Sequence, residues 1–228
     1  LEMPELPEPK ERANVTHTDV KLTDVTYSYT GEKKDEVLHG VDLTMKEGSF
    51  TALVGPSGGG KSTVAKLISR FWDVTGGSVE IGGGNVKDMP LEELSGYVSF
   101  VTQDNFLFNC SLLENIRLGN PSATDEEVKT AAKAACCEEF ISKLPLGYDT
   151  PAGEAGKRLS GGEKQRAALA RFFVCGGDIL LLDEPFSALD AETKEAVIQN
   201  LLPYFRKKTT VLVTHSQAEA ARLADETI

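Results

Sequence analysis

The sequence predicts an α/β fold: a parallel sheet carrying a phosphate-binding loop, an N-terminal antiparallel β subdomain and an inserted α-helical subdomain. Three stretches predict it. Gly55-Pro-Ser-Gly-Gly-Gly-Lys-Ser-Thr63 stands between the apolar run Phe50–Val54 and the helix-like Val64–Ile68. Asp178-Ile-Leu-Leu-Leu-Asp-Glu184 is an apolar run closed by two carboxylates, the pattern of a parallel strand buried on both faces. Thr124-Asp-Glu-Glu127 marks a helix start ahead of Val128–Ile141, where small and apolar residues recur at helical spacing.

Length and charge narrow the function classes. A chain of 228 residues can bury a substantial core as one large domain, or as a core with an inserted subdomain. It carries 24 basic against 35 acidic residues, a net charge of −11, which argues against a nucleic-acid groove. No stretch approaches the roughly 20 apolar residues that cross a bilayer, so a soluble segment is expected. Cys110, Cys136, Cys137 and Cys175 lack C-x-x-C spacing, and His17, His39 and His215 are scattered. Reduced thiols, rather than a zinc site or a disulfide framework, follow.

Taken in order, residues 1–16 are rich in Pro and Glu and read as a linker or tether. Val20–Tyr29 and Glu36–Met45 alternate in hydrophobicity around a polar turn, which predicts an antiparallel pair with one buried face. Tyr27 and Tyr29 are placed on the same face, either as core aromatics or as a platform for a purine ring. At the phosphate loop, glycines let successive N–H groups turn inward toward a polyphosphate, and the helix that follows adds its positive dipole end. Lys61 can reach the β- and γ-phosphates, and the Ser62 hydroxyl can complete a Mg2+ shell. A nucleoside triphosphate is therefore the expected ligand.

Gly82–Gly84 lack the G-K-[ST] ending and are read as hairpin punctuation. Tyr97–Val101 is a predicted strand that ends near Gln103, an amide able either to reach Mg2+ and water or simply to cap a loop. Leu159-Ser-Gly-Gly-Glu163 opens a helix through Val174, and its serine and glycines form a second anion-binding turn. Asp183 at the end of its strand is a candidate Mg2+ carboxylate, and Glu184 beside it a candidate general base. A helix over Ala191–Tyr204 and a buried strand over Thr209–Thr214 follow, with His215 at the ligand edge of the same sheet.

Together these residues resemble the nucleotide-binding domain of ATP-binding cassette (ABC) transporters, from about Val20 to Ile228. The resemblance rests on Walker A (Gly55, Pro56, Ser57, Gly58, Gly59, Gly60, Lys61, Ser62, Thr63), the Q-loop Gln103 and the signature Leu159–Glu163. It continues through Walker B (Ile179–Asp183 with Glu184), the D-loop Ser187–Asp190 and the H-loop His215. The signature ahead of Walker B is what is specific to this family. Gln103–Phe108 with Ser111–Ile116, and Gly147–Gly156 with Glu154, are similar to the exporter type. Glu163 stands where the family mostly has Gln, and Pro185-Phe186 stands where exporters often carry Ala-Thr, Pro at this position being frequent among importers.

The resemblance implies a P-loop NTPase (RecA-like) core. Residues 17–103 and 158–228 would hold the ATPase core and the antiparallel part, and 104–157 the helical subdomain. The chain would be a fragment truncated at its C-terminus. It also implies ATP and Mg2+, with Ser62, Gln103 and Asp183 on the metal, Glu184 as base, His215 on the γ-phosphate and Tyr29 stacked on adenine; Tyr27 is the alternative. The implied partner is a second such domain, identical or not, whose ATP is covered by Ser160, Gly161, Gly162 and Glu163 of this one, with Asp190 nearby. Membrane helices fused N-terminally and a place on the cytoplasmic face of a membrane complete the expectation. The competing readings are a separate importer ATPase subunit and a soluble ABC ATPase acting on nucleic acid.

Overall fold

The structure, a computed structural model, describes residues 15–206 and 208–228 together with Leu6 and Pro9. The predicted linker over residues 1–16 lies outside the described residues except for Leu6, Pro9, Val15 and Thr16. Backbone contacts divide the chain into two compact units. One contains the chain up to Val98, Gly177–Asp183 and Phe205–Ile228; the other contains Ser99–Gly176 and Glu184–Tyr204.

In the first unit, β1 (Val20–Ser28) pairs antiparallel with β2 (Glu36–Met45), as the alternation predicts. Val20 and Leu22 face the core, and so do Val25 and Tyr27, although strict alternation would have turned the second pair outward. A register shift between Leu22 and Val25, with Asp24 at φ 47°, inserts the extra residue that returns the apolar side chains to the buried face. After β3 (Phe50–Val54) and α1 (Lys61–Ile68), the chain forms a hairpin of β4 (Gly76–Ile81) and β5 (Gly84–Asn85). Its turn residues Gly82 and Gly83 have φ of 56° and 82°, left-handed values that match the twist of the flanking strands. These four strands form one sheet in the order β2-β1-β4-β5.

The sequence reading had no helix at α2 (Leu91–Tyr97) and began the next strand at Tyr97; β6 (Val98–Val101) starts one residue later. Pro90 at the N-cap and Glu92 and Glu93 in the first turn are the local signals for α2.

The second unit contains α3 (Leu112–Arg117), α4 (Asp125–Ala134), α5 (Glu138–Ile141) and α6 (Gly161–Cys175). The capping box predicted at Thr124 is present. Its hydroxyl accepts from the Glu127 N–H, and the Glu127 carboxylate accepts from the Thr124 N–H at 2.8 Å. The Thr124 N–H, and then the Thr124 hydroxyl donating at 2.9 Å, hold the Glu127 carboxyl below its ordinary pKa.

The single helix expected over Val128–Ile141 is broken. Cys136 takes φ 57°, its N–H donates to Lys133 O, and the Cys137 N–H donates to Ala132 O. This is the paired bonding of a Schellman stop with cysteine in the place usually held by glycine. The stop buries Cys137, Phe140 and Ile141 in the unit's core, and burial pushes the Cys137 thiol pKa strongly up.

β7 (Ile179–Asp183) returns the chain to the first unit and α7 (Ala191–Phe205) crosses the second. β8 (Thr209–Thr214), α8 (Gln217–Leu223) and β9 (Glu226–Thr227) end the described chain. β7, β8, β3 and β9 are adjacent parallel strands of a five-stranded sheet. Every residue of β7 and β8 is buried, as their apolar runs require. The register pairs Val54 with Thr214 and Asp183 with Val213. The loop that starts at Gly55, the Asp183 carboxylate and His215 therefore reach one carboxyl edge, where such sheets bind ligands.

No helix among the described residues is long and apolar enough to cross a membrane. Cys110, Cys136, Cys137 and Cys175 are all free thiols.

Candidate active site

The phosphate loop joins β3 to α1, and its shape is set by residues that no side chain could replace. Gly60 adopts φ 79°, and a Cβ there would lie 2.6 Å from Leu38 Cδ2 and 3.3 Å from Val37 O. β2 thus packs directly under the loop and leaves room for backbone alone. The Lys61 ammonium folds back across the loop, donating to Gly55 O at 2.9 Å and Pro56 O at 2.7 Å. A polyphosphate offers that ammonium stronger, charged acceptors than these two carbonyls. The Ser62 hydroxyl donates to Asp183 Oδ1 at 2.9 Å, and Asp183 is 2% exposed. A hydroxyl and one buried carboxylate are hard oxygen donors. They suit Mg2+, which takes one or two carboxylates and fills its remaining positions with phosphate and water. Among the described residues no group of three or more His, Cys, Asp or Glu could hold a metal alone.

Tyr29 lies just past the end of β1, 52% exposed, and shares a hydrogen bond of 2.9 Å with Thr63 Oγ1. Tyr27 and Trp72 hold its ring in edge contacts at 5.0 and 5.1 Å. Tyr27 itself is 5% exposed and belongs to the core, so of the two tyrosines only Tyr29 has a ring face open to a ligand. Trp72 carried no sequence motif. Its place in the cluster comes from packing. His215 is exposed at the end of β8.

In the second unit Ser160 caps α6. Its hydroxyl accepts from the Glu163 N–H at 3.3 Å, and its N–H donates to the Glu163 carboxylate at 2.7 Å. The Glu at this position thus completes a capping box, its acid standing three positions after the Ser160 hydroxyl. Ser160, Gly161, Gly162 and Glu163 line a cavity of about 390 Å³ together with Ala188, Leu189 and Asp190. The Asp190 carboxylate accepts from the Thr193 N–H at 2.9 Å and the Thr193 hydroxyl at 2.7 Å. The bond from the Thr193 N–H is the main reason its pKa lies below the ordinary value.

Glu184 is half-buried and left-handed, at φ 50°, a conformation that costs a non-glycine residue about 1–2 kcal/mol. Its carbonyl accepts from three donors: Gln165 Nε2 and Ser187 Oγ, each at 3.0 Å, and the Ser187 N–H at 3.3 Å. At about 0.5–1.5 kcal/mol net each, these bonds are enough to hold the strained backbone. Gln103 is exposed just beyond β6, with its carbonyl accepting from Asn105 Nδ2.

The sequence profile described as ABC transporter matches residues 38–187, from β2 through the segment after Glu184. The chain belongs to the ABC transporter family.

ABC relatives agree. Multidrug export ATP-binding/permease proteins of Staphylococcus aureus strains NCTC 8325 / PS 47 and COL are each 46% identical over 197 residues, 86% of this chain and 34% of theirs. A bacterial Atm1-family ABC exporter, solved with ATP bound, matches with a TM-score of 0.89 at 38% identity, over 95% of this chain and 37% of its own. This chain spans about a third of the length of the curated relatives it matches. It is an ABC-family domain similar in sequence and fold to the ATP-binding parts of exporters. The relatives join an ATP-binding part to a permease in one chain.

The family's motif residues fall in both units of this ABC domain. Gly55–Thr63, Asp183, Tyr29 and His215 belong to the first; Gln103, Ser160–Glu163, Glu184 and Asp190 belong to the second. The sequence reading missed Gln165, which stands between Lys164 and Arg166 with no apolar pattern around it to announce its burial.

Proposed function

We propose that this domain hydrolyses ATP to drive a substrate across a membrane, as one of a head-to-tail pair that closes around two ATP molecules. The observation that carries the reading is the phosphate loop with the Ser62–Asp183 hydrogen bond at the sheet's carboxyl edge. There the loop N–H groups and Lys61 bind the β- and γ-phosphates, and Tyr29 stacks on adenine. Ser62, Asp183 and Gln103 hold Mg2+. When bound, Mg2+ neutralises charge that builds on the phosphate oxygens. Glu184 accepts the proton of the attacking water, and His215 steadies the γ-phosphate.

Ser160, Gly161, Gly162 and Glu163 cover the ATP held by the partner domain, with Asp190 at the same face. Each domain offers an anion site that is incomplete alone, so ATP joins the pair and its hydrolysis releases them. Residues 17–103 and 158–228 serve as the ATPase core with its antiparallel part, and 104–157 as the helical subdomain. The fused ATP-binding/permease relatives support a permease part in the same chain as this domain; in this reading it lies on the N-terminal side, with this domain on the cytoplasmic face.

Glu184→Gln in the full-length protein carrying this chain tests the base. General-base removal predicts a loss of about 100-fold or more in turnover and a longer-lived ATP-bound pair. Normal turnover in this variant refutes the assignment.

A further inference from the structure

Gln165 lies on α6 one turn past the Ser160 cap, and it is wholly buried at 0% exposure. Both ends of its amide are used. Oε1 accepts from the Ala188 N–H at 2.8 Å, while Nε2 donates to Glu184 O at 3.0 Å and lies 3.4 Å from Ser187 Oγ. These partners are 19 to 23 residues away along the chain. Glutamine alone suits this position by length and chemistry, presenting an acceptor and a donor side by side. An apolar residue would fill the space but leave the Ala188 N–H and one donor position at Glu184 O unmet. A glutamate would keep the acceptor and lose the donor. Left-handed Glu184 depends on those donors to keep its backbone in place.

We propose that Gln165 is a positioning residue for hydrolysis, holding the Glu184 backbone and the segment leading to Asp190 against the helix that begins at Ser160. The inference rests on the reading above, in which Ser160–Gly162 contact the partner's ATP and Glu184 serves this domain's own. Gln165 is then a direct connection, within one chain, between the two ATP sites of the pair. ATP engagement at Ser160 seats α6, α6 seats Gln165, and Gln165 seats the residue that takes the proton.

The test uses single-turnover hydrolysis by the full-length protein, whose rate constant does not depend on the folded fraction. Gln165→Glu and Gln165→Met are compared with Glu184→Gln and with each double variant. A displaced base costs about 100-fold in rate. Gln165→Glu is expected to slow single turnover on that scale while the ATP concentration giving half-maximal rate stays within about threefold. Gln165→Met does the same with no charge introduced. On the Glu184→Gln background neither substitution lowers the residual rate further, because the group Gln165 acts through is already gone. An unchanged rate in both Gln165 variants, or losses that multiply with that of Glu184→Gln, overturns the proposal and leaves Glu184 as base. Full activity in Glu184→Gln alone overturns the base assignment itself, and the positioning role falls with it.

Discussion

The packing of β2 beneath the phosphate loop makes a quantitative prediction that separates backbone strain from steric exclusion. Gly58 and Gly60 have nearly the same φ, 83° and 79°, but different surroundings. A Cβ at Gly58 meets nothing within 4 Å, whereas one at Gly60 meets Leu38 Cδ2 at 2.6 Å. Gly58→Ala should therefore cost the left-handed penalty alone, about 1–2 kcal/mol. Gly60→Ala should cost that amount plus overpacking of about 1–3 kcal/mol, because Leu38 is 4% exposed and has little room to withdraw. Urea unfolding in the absence of nucleotide reads the difference as a shift in midpoint at constant slope. Leu38→Ala removes the offending methyl. It destabilises by about 2–5 kcal/mol alone, yet combined with Gly60→Ala it should cost about 1–3 kcal/mol less than the sum. Equal destabilisation by the two glycine substitutions, or strict additivity with Leu38→Ala, would show that contact with β2 does not shape the loop.

Two further outcomes follow from the aromatic cluster. Tyr29→Phe keeps the ring and loses only the bond to Thr63, so affinity for a fluorescent ATP analogue should change by about twofold or less. Tyr29→Ala should lose base stacking of about 1–3 kcal/mol; affinity unchanged in the alanine variant removes Tyr29 from the adenine site. The Tyr27 hydroxyl is pushed up to about 12, first by burial and then by the neighbouring Tyr29. The unfolded chain releases this proton near its ordinary pKa of 10.0, while the folded chain holds it until about 12. Its contribution is complete below pH 10 and is lost between pH 10 and 12, amounting to about 2–3 kcal/mol. Alkaline unfolding followed by circular dichroism should show that limb, and Tyr27→Phe should reduce it by this contribution, leaving the part due to the buried Cys137 thiol and to Tyr148.

What the sequence determined by itself were features whose physical requirements are met within a few residues, although α2, whose signals are local too, was not read from it. The phosphate loop needs only glycines, a lysine and a following helix; the caps at Thr124 and Ser160 need only a hydroxyl and an acid three positions on. The strands Ile179–Asp183 and Thr209–Thr214 declare burial on both faces through the apolar runs Ile179–Leu182 and Val211–Val213, and the Val20–Met45 hairpin through its alternation. Tertiary structure decided the features that depend on partners far along the chain. A cysteine at φ 57° ends α4 because the stop buries Cys137, Phe140 and Ile141, and no glycine announced it. Tyr29 rather than Tyr27 keeps an open ring because β1 ends between them, and Gly60 admits no side chain because Leu38 sits against it. Gln165 finds Glu184 and Ala188 across about twenty residues. Local pattern encodes bonding between near neighbours; a contact between distant residues exists only once burial of the apolar faces has brought their elements together.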